Sequence, residues 1–157
     1  MAQITREDVM QILSDRKDFT GLDLSGLNLS GTKFVFANLT GANLAGANFT
    51  SANMSLANLS GADLTGADLS YALLMGANLS HARLNRAILR YTVFINAKLE
   101  SADLTGADLN RAVLTGAGLT GANLDGANLR GANLTLAQIQ NTSLDGVALN
   151  GAVGMMV

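Results

Sequence analysis

The chain has 157 residues, 48% of them hydrophobic, a formal net charge of −2, and neither cysteine nor proline. So small a charge gives no reason for attraction to a polyelectrolyte, and the missing cysteines exclude disulfides, thiolate metal sites and a cysteine nucleophile. No window approaches eighteen uninterrupted apolar residues and the N-terminus lacks the basic-then-apolar run of a secretory leader, so a cytoplasmic protein outside the membrane is expected.

Residues 4–13 read as a short helix. Thr5 is an N-cap with Asp8 three residues on, a variant of the capping box, and Ile4 is placed to staple onto Val9. Val9, Ile12 and Leu13 then form an apolar edge. The rest of the chain is a repeat array whose first unit needs a cap, and this helix fits that need. Leu22 and Leu27 stand where later units have Ala, which would widen the first interior layer to meet the helix.

From Leu24 onward every fifth residue is Leu, Phe, Met or Ile, without a slip, to Ile139, Leu144 and Leu149. Two residues before each of these stops, from Ala37 to Ala137, stands Ala, with Thr92 the one exception. Strictness at two positions and variety at three means that two side chains per repeat face a confined interior. A continuous strand alternates faces at every residue, so an odd period of five requires a turn in each unit. Gly21, Gly26, Gly31, Gly41 and others two residues past the stop supply corners with positive φ. The period fits no helix.

The phrase A-(D/N)-L-x-x, as in Ala62-Asp63-Leu64-Thr65-Gly66 and Ala122-Asn123-Leu124-Asp125-Gly126, resembles the pentapeptide-repeat proteins over residues 17–153. The resemblance implies an all-β fold, a right-handed quadrilateral β-helix of four pentapeptides per coil with Leu and Ala pointing inward. The stops then make about six to seven coils. The expected division is a capping α-helix at 1–16, the β-helix at 17–153 and a short apolar tail at 154–157. That tail either folds over the last coil or leaves an uncapped end for a second subunit. The resemblance further implies a protein without assigned activity, a DNA mimic acting on a topoisomerase, or a regulator of cell differentiation.

Sorted at a period of twenty, the large apolar residues between Thr20 and Asn150 that point outward are Val35, Phe36, Leu56, Tyr71, Leu73, Met75, Ile88, Tyr91, Val93, Ile95, Val113 and Leu136. All but Ile88 fall on the face centred on Phe34, Met54, Leu74, Phe94, Leu114 and Leu134, or on the corner before it. An apolar stripe of this kind marks an interaction surface, for a protein partner or a homodimer, with Tyr71 stacked on Tyr91. Ladders of such residues also stabilise stacked strands without binding anything.

Asp63, Arg83 and Asp103 should form a column of alternating charge. The arginines otherwise spread around corners and faces with carboxylates interleaved, so nucleic acid is disfavoured. His81, the one histidine, sits outward at a corner, and Asp63 and Asp68, or Asp103 and Asp108, belong to adjacent faces and point apart. Thr32, Thr92 and Thr142, inside, are expected to bond backbone. No catalytic, cofactor-binding or metal residue is therefore named, no small-molecule substrate is expected, and a non-enzymatic interaction protein is the reading.

Overall fold

The computed structural model describes residues 4–155. Helix α1, Arg6–Asp15, begins two residues later than the apolar pattern suggests, because Thr5 is its cap. The Thr5 hydroxyl accepts from the Asp8 N–H at 3.2 Å, and the Asp8 carboxylate accepts from the Thr5 N–H at 2.8 Å. Val9 is fully buried, and Ile4, Ile12 and Leu13 pack half-buried against the core together with Leu22 and Leu27. The Arg6 guanidinium donates to the Asn28 and Ser30 carbonyls, and the Lys17 ammonium to the Val35 carbonyl. Through these contacts the cap covers both the apolar end of the first coil and several of its carbonyls, which have no preceding coil to donate to them.

Beyond α1 the chain is a four-sided β-helix. Parallel bridges join residues twenty apart, from Asp18 with Asn38 to Asn133 with Val153, so four pentapeptides make one coil and residues 18–153 make just under seven. Each repeat contributes a single bridging residue, followed by a turn closed by a bond such as Ala37 N–H to the Phe34 carbonyl, at 2.9 Å. Between coils the stop residue donates forward (Leu39 N–H to the Asn58 carbonyl, 2.6 Å) and the bridging residue donates backward (Asn58 N–H to the Ala37 carbonyl, 2.9 Å). With four of the five amides in a typical repeat committed to the backbone in this way, the absence of proline follows.

The interior is a stack of Leu and Ala layers, every fifth residue from Leu24 through Leu134 at most 1% exposed, with Phe19, Phe34 and Phe49 meeting edge to face at 5.5 and 5.7 Å. The Thr92 and Thr142 hydroxyls donate to the Leu69 and Leu119 carbonyls, each twenty-three residues earlier and so in the coil below. Thr32 departs from the expectation: its buried hydroxyl has no partner. The residue twenty-three before it is Val9, and that belongs to α1 instead of a coil.

At the far end the last coil is only half-buried, and Met155 packs against it. Gly154, at φ +80, lies so close to Thr135 that an added Cβ would come within 2.3 Å of its nitrogen. Gly154 and Met155 thus pack against the end of the stack; Met156 and Val157 lie outside the described residues.

Outward Asn and Asp at the bridging position accept from the N–H two residues on, as Asn58 does from Ser60 at 3.1 Å, and so satisfy the backbone at the corner. Where the residue is Asp, these bonds act on its charge. At Asp103 burial works to raise the carboxyl, yet the Thr105 hydroxyl, the Asn85 amide, the Thr105 N–H and the Arg83 charge together hold it below the usual carboxylate value. Asp18 is lowered by the Thr20 hydroxyl and N–H, against a small opposing effect of desolvation. Carboxyls lowered in the folded state stabilise it fully above the unfolded value of about 3.9, and that contribution is lost as pH falls from there through the folded value. Chemical denaturation should therefore show stability falling between about pH 5 and about pH 2, and the double variant Asp18→Asn, Asp103→Asn should fall less steeply; an identical slope would refute this source of pH dependence.

Candidate interaction wall

The corner residue of each repeat lies in the left-handed region, at φ near +60. Glycine occupies fifteen such corners, and thirteen other residues hold positive φ, all but Lys17 of them at corners. A side chain there costs about 1–2 kcal/mol relative to the right-handed backbone, which is why glycine is the default. Among those thirteen, five are large and apolar or aromatic: Phe36, Leu56, Tyr71, Tyr91 and Leu136. All five lie at the two corners of one wall, Tyr71 and Tyr91 on one side and Phe36, Leu56 and Leu136 on the other. These side chains are also exposed, Leu136 by 71%, Phe36 by 68% and Tyr71 by 56%. Strain and exposure both disfavour them as structural choices.

The wall between these corners is the bridged column Lys33, Asn53, Leu73, Val93, Val113, Asn133 and Val153. Its three central members are half-buried aliphatics in place of the Asn or Asp that would bond the next corner. Beside them, two residues further along each repeat, stand Val35, Ser55, Met75 and Ile95. Met75 is exposed, Val35 and Ile95 half-buried, and Ser55 buried with no partner for its hydroxyl. Leu56, Met75, Gly76 and Ile95, with Ser55 and Asn96, line a shallow trough of about 470 Å³. The Leu56 side chain lies across Gly76, where an added Cβ would meet it at 2.8 Å.

Tyr71 and Tyr91 stack with centroids 4.9 Å apart and planes 3° from parallel, as the period of twenty predicts. Arg111, one coil further, lies over the Tyr91 ring at 5.8 Å and donates to its hydroxyl at 3.3 Å. All eleven residues expected on the stripe thus lie on this wall or its corners. Val153, exposed, extends the column toward the C-terminus, and Ile88 stands alone on another wall, also exposed.

Asp63, Arg83 and Asp103 do stack in one column; within it Arg83 pairs directly with Asp63 at 3.2 Å, while Asp103 takes the Asn85 amide and feels Arg83 only through its charge. Arg90 pairs with Asp108 on a neighbouring wall. The spread of charge needs a correction: sorted by wall, the carboxylates are not interleaved with the arginines here. Residues 30–36, 50–56, 70–76, 90–96, 110–116 and 130–136 hold Lys33, Arg90, Arg111 and Arg130 and no Asp or Glu. The same period of twenty that sorts the apolar residues carries this signal in the sequence.

Among the described residues no group of three His, Cys, Asp or Glu side chains could hold a metal, and no helix is long and apolar enough to cross a membrane. His81 is exposed at its corner, and Asp63 and Asp68 bridge in separate columns.

A family model for pentapeptide repeats matches the chain in eight copies, over residues 18–55, 42–80, 77–116, 92–131 and 112–151. The chain belongs to this family, whose members fold as right-handed quadrilateral β-helices. Among solved structures it is similar to HetL, a pentapeptide repeat protein involved in heterocyst differentiation regulation from the cyanobacterium Nostoc sp. strain PCC 7120, at 24% identity and a TM-score of 0.34, covering 99% of this chain and 100% of that one. It is similar also to QnrB1, a plasmid-mediated fluoroquinolone resistance protein, at 25% identity, a TM-score of 0.48, and 86% and 76% coverage. A pentapeptide repeat protein of the Arabidopsis thaliana thylakoid lumen matches at 32% identity, a TM-score of 0.33, and 74% and 72% coverage. No curated protein matches the chain in sequence.

If the corner side chains serve something other than the fold, removing them should not harm it. Leu136→Gly relieves about 1–2 kcal/mol of backbone strain and loses about 0.4–1 kcal/mol to the freer unfolded chain, so its stability should equal or slightly exceed the parent's. Leu134→Ala, two residues away but interior, should lose about 2–5 kcal/mol. Denaturant titration compares them; a comparable loss for both would make Leu136 part of the framework.

Proposed function

We propose that the chain is a non-enzymatic interaction protein that acts in the cytoplasm and docks a protein partner on the wall centred on Leu73 and Val93. The observation that carries this reading is the confinement of every large apolar side chain at a left-handed corner to the two edges of that one wall. A ladder serving only to stabilise stacked coils would be free to use any of the four walls and would not have to occupy strained corners. The trough beside Met75 is open and shallow, unlike the enclosing clefts that hold small substrates. A DNA-mimic reading needs a dense acidic surface, and this chain has only eight carboxylates beyond Thr20, none of them on the wall.

Photo-crosslinking side chains placed at Leu136 and Tyr91, on the wall, and at Asn58 and Asp68, off it, test the reading in the native cell. The wall positions should yield a discrete protein adduct that Val93→Asp abolishes, while the other positions yield none. Adducts of equal yield from all four positions, or from none, would contradict it.

A further inference from the structure

We propose that the partner segment is an acidic amphipathic helix lying along the rod over the Leu73, Val93 and Val113 column, and that the partner is not a second copy of this chain. The proposal rests on the docking role of the wall just given and adds its chemistry.

Charge carries the argument. Four of the seven Lys and Arg residues after Thr20 lie on the wall and its corners, and all eight carboxylates lie elsewhere. Among the described residues Lys33, Arg111 and Arg130 have no carboxylate partner, since the ion pairs are those of Arg83 and Arg90. A second copy meeting this wall with the same wall, as two-fold symmetry requires, would set cations against a surface without one carboxylate. Like charges brought together at an interface oppose association, and opposite ones steer and select it. A partner with an apolar stripe flanked by Asp or Glu satisfies both parts of the surface at once.

Shape and length select the helix. From Phe36 to Leu136 the stripe covers five coil spacings of roughly 4.8 Å, about 24 Å in all, which a helix spans in about 16 residues or four to five turns. Apolar side chains at helical spacing would then follow the column, one seated in the trough between Leu56 and Ile95. That shallow trough is lined mostly by the apolar Leu56, Met75 and Ile95 side chains, which suits a seated side chain better than the flat surface of a bilayer.

The full chain can be tested with a designed 16-residue amphipathic helical peptide bearing one Leu face flanked by Glu, and with the same peptide carrying Lys in place of Glu. Fluorescence anisotropy should show the Glu peptide bound at least ten-fold more tightly, with the gap narrowing as salt rises from 50 to 300 mM. The triple variant Lys33→Glu, Arg111→Glu, Arg130→Glu, checked for an unchanged circular dichroism spectrum, should invert the preference. Sedimentation should show a monomer, and vesicles containing phosphatidylserine should leave the chain in solution. Equal binding of the two peptides, both lost in Val93→Asp, would overturn the acidic preference while leaving the wall a docking surface. Binding of neither peptide, a dimer dispersed by Tyr91→Asp, or vesicle binding lost in the triple variant would overturn the proposal. Crosslinking that also gave no wall-specific adduct would remove the docking role beneath it.

Discussion

An L-residue in the left-handed region costs about 1–2 kcal/mol, and this fold places a residue there once in every five to keep two side chains of each repeat inside. That recurring corner is the constraint on which the rest depends. It turns the chain through four walls in twenty residues, and it leaves the amides on either side of the bridging residue pointing to the coils above and below. The Leu and Ala layers are buried because the corners close around them, and glycine is abundant because corners are. Every exception to glycine therefore carries information. At Ser51, Ser101, Asn96 and Asn141 the replacement is small and polar, and at His81, Arg86 and Arg111 it is polar and solvated. At Phe36, Leu56, Tyr71, Tyr91 and Leu136 it is neither, and these five mark one wall out of four.

The same wall differs in two further respects that have separate causes. Its centre is aliphatic, with Leu73, Val93 and Val113 in succession at the bridging position where Asn or Asp bonds the N–H two residues on; where other walls lose that bond, as at Arg83, Lys98 and Gln138, the replacement is mostly polar or charged. It also carries cations without carboxylates, although the rod as a whole is close to neutral. Strain at the corners, an aliphatic column between them and segregated charge are three departures from what the repeat favours. Their coincidence on one surface is what supports the proposal of a docking site there.

The architecture was legible because the interior tolerates so little. Phe34, Met54 and Leu74 can be seen to be inside from their spacing alone, and the stack of Tyr71 on Tyr91 follows from the coil length without any knowledge of rotamers. What escaped depends on neighbours that a period does not describe. The Thr32 hydroxyl lost its acceptor because α1 replaces the coil that would have supplied one. Asn85, and not Arg83, took Asp103 because a side chain eighteen residues back reaches the carboxylate across the corner. Arg111 lies over Tyr91 through a choice of rotamer. The bare cationic character of the wall was readable in the letters, but only after the charges had been sorted by wall instead of counted along the chain.

All of this depends on residues twenty apart lying one above another. The chain has no cysteine, so introduced pairs can report on that register without interference. Adjacent coils place bridged residues within the roughly 4.4–6.8 Å Cα separation that a disulfide spans. The variant with Leu73→Cys and Val93→Cys should therefore form an intramolecular disulfide on mild oxidation, read as a mass loss of two hydrogens, and the variant with Leu73→Cys and Ile88→Cys should not. A disulfide in the second pair and none in the first would contradict the account.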